Sequence, residues 1–176
     1  MKRIFLVGYM GAGKTTLGKA LAHRMNLSHI DTDNYIEKRY HKKISEIFSS
    51  EGEERFRDIE HRIIKEIAEI EDVVVSTGGG LPCFNNNMAV MNNFGITVYL
   101  ETSAEELAAR LNESKSVRPV LKNRSGNELI MFIKESLDKR NVFYEQAKIH
   151  FDAEQMNGDK DVDLLAGKLD ALLCNL

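Results

Sequence analysis

The residues best suited to chemistry open with Gly8-Tyr9-Met10-Gly11-Ala12-Gly13-Lys14-Thr15, a full match to the phosphate-loop pattern G-x-x-x-x-G-K-[ST]. Its glycines let successive backbone N–H groups turn inward and approach an anion closely. The positive end of the helix expected to follow adds to that attraction. Lys14 reaches the β/γ-phosphates and the Thr15 hydroxyl can ligate Mg²⁺. The ligand implied is ATP or GTP. Further on, Asp31-Thr32-Asp33 places carboxylates at i and i+2 of an extended segment, on one side of it. One can serve a hard cation, which takes only one or two carboxylates beside phosphate oxygens, and the other an acceptor hydroxyl. Asp33 is equally suited to cap a helix over 34–40.

Gly78-Gly79-Gly80 follows an apolar run, so that six of the twelve glycines stand at the ends of two predicted strands. Exposed N–H groups there can bind a substrate oxygen. Three arginines carry the planar fork that matches a carboxylate or phosphate: Arg57, Arg118 and Arg140. Each alone reads first as a solvated surface charge. The five histidines form no ligand spacing or dyad.

These residues need elements to position them. Strands are predicted at Arg3–Val7, Ser28–Asp31, Val73–Thr77, Ile96–Leu100 and Lys148–Phe151. All are short and apolar without alternation, as expected of parallel strands buried on both faces. Helical spacing appears between them. Leu17, Leu21 and Met25 mark a helix over Lys14–Met25, and Phe56, Ile59, Ile63, Ile67 and Ile70 trace one face of a long one. Thr102-Ser103-Ala104-Glu105-Glu106 contains two overlapping capping boxes. Leu129–Tyr144 and a segment carrying Val162, Leu165, Leu169 and Leu172 complete the helices, and Asn85-Asn86-Asn87 reads as a surface turn or helix start. The alternation implies an α/β fold on a parallel sheet, with ligands bound beyond the carboxyl ends of the strands. The stretch from Asn112 to Gly126 breaks the rhythm and carries Lys115, Arg118, Lys122 and Arg124. Its length and charge suit a lid over phosphate.

At 176 residues the chain suits one domain, and 43% hydrophobic with 29% charged residues excludes the disordered class. The net charge of −3 and the lack of a basic stripe speak against nucleic acid or an anionic membrane as partner. No apolar run is long enough for a bilayer span or a signal peptide. Cys83 and Cys174 form no metal or disulfide pattern. A cytoplasmic monomer is expected.

Six segments, taken together, resemble a known family. They are the loop Gly8–Thr15, Asp31-Thr32-Asp33, Phe56-Arg57-Asp58-Ile59-Glu60, Ser76-Thr77-Gly78-Gly79-Gly80, Arg118-Pro119-Val120-Leu121 and Arg140-Asn141-Val142-Phe143-Tyr144-Glu145-Gln146-Ala147. Over nearly its whole length the chain is similar to the shikimate kinases, of the nucleoside-monophosphate-kinase group of P-loop folds. The resemblance implies a three-layer fold with a five-stranded parallel sheet flanked by helices, a substrate-binding subdomain at about 33–60 and a mobile lid at about 112–125. It implies transfer of phosphate from ATP to the 3-hydroxyl of shikimate, with Mg²⁺, on the route to chorismate. By the same likeness Lys14, Asp33 and Arg118 are catalytic, with Lys14 and Arg118 stabilising the transferring phosphoryl group. Gly11, Ala12, Gly13, Lys14, Thr15, Thr16, Arg110, Arg118 and Gln155 hold the nucleotide, with Arg110 stacking near adenine. Asp33, Arg57, Gly78, Gly79, Gly80 and Arg140 hold shikimate, the arginines clamping its carboxylate. Thr15 binds the metal and Asp31 assists through water. The loop 152–159 lacks the proline the family leads one to expect. A gluconate-kinase-like enzyme satisfies the same charge logic, since gluconate also carries a carboxylate and hydroxyls.

Overall fold

The computed structural model describes residues 2–113, 126–156 and 158–175. Strands β1 (Arg3–Val7), β2 (Ser28–Asp31), β3 (Val73–Ser76), β4 (Ile96–Glu101) and β5 (Ile149–Asp152) form one parallel sheet in the order β2-β3-β1-β4-β5. Seven helices accompany them among the described residues. They are α1 (Lys14–Met25), α2 (Thr32–Tyr40), α3 (Ile44–Ala68), α4 (Asn87–Phe94), α5 (Ala104–Glu113), α6 (Gly126–Tyr144) and α7 (Asp159–Cys174).

The apolar strands are explained by a core on each face of the sheet. Along β1, Ile4 and Leu6 pack on one side with Leu17, Leu107 and Leu169, while Phe5 and Val7 pack on the other with Ile59, Ile63 and Met91. In β4, Val98 and Leu100 face the first core and Tyr99 the second. A strand whose successive side chains enter two different cores has no polar face to show. Both edge strands depart from the sequence expectation: β2 has Ser28 exposed and its other residues only partly buried, and β5 alternates. Ile149 and Phe151 are buried but His150 and Asp152 are exposed, because only one face of that strand is covered.

Three local details also differ from expectation. The long helix α3 begins at Ile44, well before the apolar stripe, and breaks at Gly52, whose φ of 81° and ψ of 171° are not helical. Of the two overlapping capping boxes, Ser103 supplies the working cap. Its hydroxyl accepts the Glu106 N–H at 3.1 Å, but its own N–H goes to Glu154 at 2.7 Å instead of to Glu106. Asn112 and Glu113, assigned to the lid, are the last residues of α5. The rest of that segment, 114–125 with Arg118, lies outside the described residues. Asn85 and Asn86 take left-handed conformations and Asn87 starts α4, its side chain buried against the Leu81 carbonyl. No helix among the described residues is long and apolar enough to cross a membrane.

Candidate active site

The central strand β1 runs straight into the phosphate loop, which runs straight into α1. Gly13 is the residue before the first helical turn. Its φ of 86° suits glycine, and a Cβ there would collide with the end of the Met156 side chain. Lys14 is only 8% exposed, and its ammonium donates to the carbonyls of Gly8 and Tyr9, both at 2.8 Å. Backbone oxygens thus compensate the burial of the charge.

A cavity of about 400 Å³ opens at this end of the sheet. Gly11, Gly13, Lys14, Thr15 and Thr16 line it from the loop and α1, and Asp31 and Asp33 from the junction of β2 and α2. Gly78 and Gly79 line it from the end of β3, and Arg110 from α5. Ten of the residues singled out in the sequence therefore share one space. Ala12 is fully buried, Gln155 is exposed, and Arg57, Gly80 and Arg140 do not line this cavity.

The two aspartates separate into distinct duties. Asp31 caps α2, its Oδ1 accepting the Asn34 N–H at 3.1 Å, and its Oδ2 accepts from the Thr15 hydroxyl at 2.7 Å. Asp33 does not cap α2: it sits in the first turn, exposed, with its carboxylate over Gly78. A Cβ on Gly78 would stand 2.5 Å from Asp33 Oδ1. Meanwhile the Gly78 N–H is taken by the Thr32 hydroxyl at 2.8 Å. Thr15 and Asp31 are hard oxygen donors side by side, as a Mg²⁺ ion would need. Among the described residues no group of three or more His, Cys, Asp or Glu is gathered to hold a metal alone. Such a pair suits a cation that completes its shell with phosphate and water.

Arg57 and Arg140 come to this end of the sheet from different helices. Arg57, on α3, donates to Glu60 Oε2 at 2.7 Å through Nη1 and to Glu53 Oε1 at 2.9 Å through Nη2. Its guanidinium stacks over Phe84 at 4.1 Å and faces Phe48 and Phe56 at 5.9 and 5.5 Å. Gly80 fits against it, since a Cβ at that position would lie 2.8 Å from Nη1. Arg140, near the end of α6, lies over the ring of the phosphate-loop residue Tyr9 at 5.2 Å and acts electrostatically on Tyr144. The Tyr144 hydroxyl donates to the Gly79 carbonyl. Burial, above all else, raises the Tyr144 phenol far beyond its ordinary value and keeps it protonated. Both arginines act on the half-buried Cys83 thiol, which burial pushes up against their pull.

Glu60, to which the sequence alone attaches no role, is the least ordinary group in the site. It is 2% exposed, and burial pushes its carboxyl up to about 7 against the opposing pull of Arg57. A signal existed, because residue 60 falls on the same face as Phe56, Ile59, Ile63 and Ile67, where a carboxylate must be buried. The aromatic surround of Arg57 and the brace from Tyr144 were also missed, being contacts between distant segments. At the other end of the cavity Arg110 does more than line it. Its Nη2 donates to the carbonyls of Ala153 and Glu154 at 2.8 and 2.6 Å, and its Nε to Glu106 at 2.8 Å. It therefore holds the start of the 152–159 loop, from which Met156 reaches the cavity.

An anion cradle at the centre of a parallel sheet ordered 2-3-1-4-5 places the molecule among the P-loop kinases. Comparison with known proteins narrows this. Residues 10–169 match the family model described as shikimate kinase. A shikimate kinase from Parabacteroides distasonis is 60% identical over 98% of this chain and 100% of its own. The crystal structure of shikimate kinase from Bacteroides thetaiotaomicron, 46% identical, superposes with a TM-score of 0.94 over 98% of both chains. Shikimate kinase from Acinetobacter baumannii, solved in complex with shikimate, is 32% identical with a TM-score of 0.84, covering 99% of this chain and 94% of that one. The chain belongs to the shikimate kinase family.

Proposed function

We infer that the chain transfers the γ-phosphoryl group of ATP to the 3-hydroxyl of shikimate, giving shikimate 3-phosphate and ADP on the route to the aromatic amino acids. The observation that carries the acceptor side is the grouping of Arg57 against Gly80 and the Asp33 carboxylate against Gly78, with Arg140 over the neighbouring Tyr9 ring. A small polyhydroxy acid needs this combination: forked cations for its carboxylate, and a carboxylate with backbone amides for its hydroxyls. The relatives that this chain resembles over its full length favour shikimate over gluconate as that acid.

In this reading Arg57 and Arg140 fix the acceptor's carboxylate, and the amides of Gly79 and Gly80 hold its ring hydroxyls. Asp33 accepts a hydrogen bond from the attacking 3-hydroxyl, orients its lone pair and takes its proton. The new P–O bond forms to that oxygen as the bond from the γ-phosphorus to the bridging oxygen of ADP breaks. Such a transfer asks mainly for alignment and for stabilisation of spread negative charge. Lys14 and the loop amides of Gly11, Ala12, Gly13, Thr15 and Thr16 supply that charge stabilisation. Thr15, with Asp31 behind it, would hold Mg²⁺, which when bound neutralises phosphate charge. Arg110 and the loop that carries Gln155 border the nucleotide. Arg118 keeps its assigned role toward the transferring group. The acceptor subdomain spans α2 and the first half of α3, about 33–60, and the enzyme works as a cytoplasmic monomer with both thiols free.

The test is ADP release with Mg·ATP and shikimate, gluconate or AMP offered side by side. A large rise with shikimate alone is expected. A comparable rise with gluconate would transfer the arginine assignments to another acid, and no rise with any acceptor would remove the activity.

A further inference from the structure

We propose that Glu60 couples recognition of the acceptor's carboxylate to the uptake of one proton, so that acceptor affinity is set by the protonation of a residue the acceptor does not touch. The proposal rests on the reading that the acceptor's carboxylate docks on Arg57. Its basis is the charge count around that guanidinium. Arg57 already serves two carboxylates, Glu60 at 2.7 Å and Glu53 at 2.9 Å. A third carboxylate arriving at the same cation must compete with both.

The two incumbents differ in what they can do. Glu53 is 61% exposed and can swing into water, where its charge is solvated and screened. Glu60 is 2% exposed on the buried face of α3, between Ile59 and Ile63, and has no path outward. Its remaining way to give up the cation's charge is to take a proton. A protonated Glu60 still accepts from Arg57 Nη1 through its carbonyl oxygen, so the guanidinium keeps its position while its charge becomes available to the ligand. The groups that act on this carboxyl come from three places in the fold. Arg57 and Glu53 come from its own helix and Asp33 from α2, while the Cys83 thiol, itself under Arg140 of α6, faces it from the turn after β3. Burial pushes Glu60 up to about 7, Arg57 opposes this, and Asp33 and Glu53 add to the rise. Another negative charge beside Arg57 pushes it further up.

The sign follows from linkage. Binding raises the carboxyl's proton affinity, so acceptor affinity is full below the free-state value of about 7. Above it the acceptor Kd rises by as much as about tenfold per pH unit, until the pH passes the raised value of the complex.

Isothermal titration of shikimate into the full chain, in phosphate and in Tris buffer from about pH 6 to 9, reads this directly. The difference in heat between buffers of unlike ionisation enthalpy gives the protons taken up. Uptake approaching about one proton near pH 8, falling toward none near pH 6, is expected in the unmodified chain. In Glu60→Gln, which is permanently neutral, uptake should vanish and Kd should lose its pH dependence, staying near the low-pH value of the unmodified chain. A Glu60 that only props up Arg57 would instead weaken binding at every pH in the variant. Binding with no proton uptake at any pH in the unmodified chain overturns the linkage, and that measurement needs no variant to fold. Titrations with no heat of binding at any pH would sink the acceptor assignment itself, and this coupling with it.

Discussion

On the phosphate side of the site, Gly8 to Thr15 follow one another in the chain, and backbone groups carry much of the binding. On the arginine side, Arg57, Gly80, Phe84, Arg140 and Tyr144 come from three distant segments, and side chains do the work through stacking and shared protons. The first construction is nearly independent of its surroundings, because a strand end, a glycine turn and a helix start suffice for it. The second exists only once α3, α6 and the glycine run have packed against the same sheet. A phosphate site of this kind can therefore be shared by enzymes with many acceptors, while the acceptor side has to be built anew for each.

Substitutions that strike one side alone test this division. Lys14→Ala should have the largest effect, lowering kcat by about 10²–10³-fold as other preorganised donors do. Shikimate Kd in that variant, measured by titration without nucleotide, should stay within about twofold. A comparable loss in Kd would show that the sides are not separable. The next contrast lies within the acceptor side. Asp33→Asn should lower kcat by about 10²-fold with little change in acceptor KM, as expected of a group that handles a proton. Arg140→Ala should raise acceptor KM by about 30–100-fold, the loss of hydrogen bonds to a charged partner. Equal kcat losses at constant KM in both would undo those roles. The smallest effect is expected from Gly80→Ala. Its φ of −88° tolerates alanine, but the new methyl would stand 2.8 Å from Arg57 Nη1, which Glu60 holds in place. Acceptor KM should rise by about tenfold with kcat nearly unchanged, in steady-state assays at saturating ATP.

The same division decided what could be read from the chain alone. The phosphate loop, the first strand and the first helix were legible because their determinants are local and contiguous. So were the three inner strands β3, β1 and β4 as doubly covered, whereas both edge strands were misjudged: β2 has no fully buried residue, and in β5 the alternation Ile149-His150-Phe151-Asp152 was in plain view but was read as continuous. Asp33 was suspended between capping and chemistry until the structure gave the cap to Asp31. The clamp depended on likeness to a family, since no spacing rule links Arg57 to Arg140. Glu60 could have been found by asking what a carboxylate does on an apolar helical face. The brace from Tyr144 to Gly79 could not, because it is a property of the packed molecule.

The bond between Thr15 and Asp31 also fixes a direction. A carboxylate can only accept, so the single proton of the Thr15 hydroxyl must point at Asp31 Oδ2, 2.7 Å away, and the oxygen's lone pairs are left facing elsewhere. That orientation presents electron density to the cavity, which is what a cation requires. An amide in place of the carboxylate has a nitrogen to offer and can donate to the same hydroxyl, turning its proton outward. Asp31 thus sets the polarity of its neighbour as well as its position, and an isosteric change at this residue would leave every atom in place while reversing the sign of the surface offered to the metal.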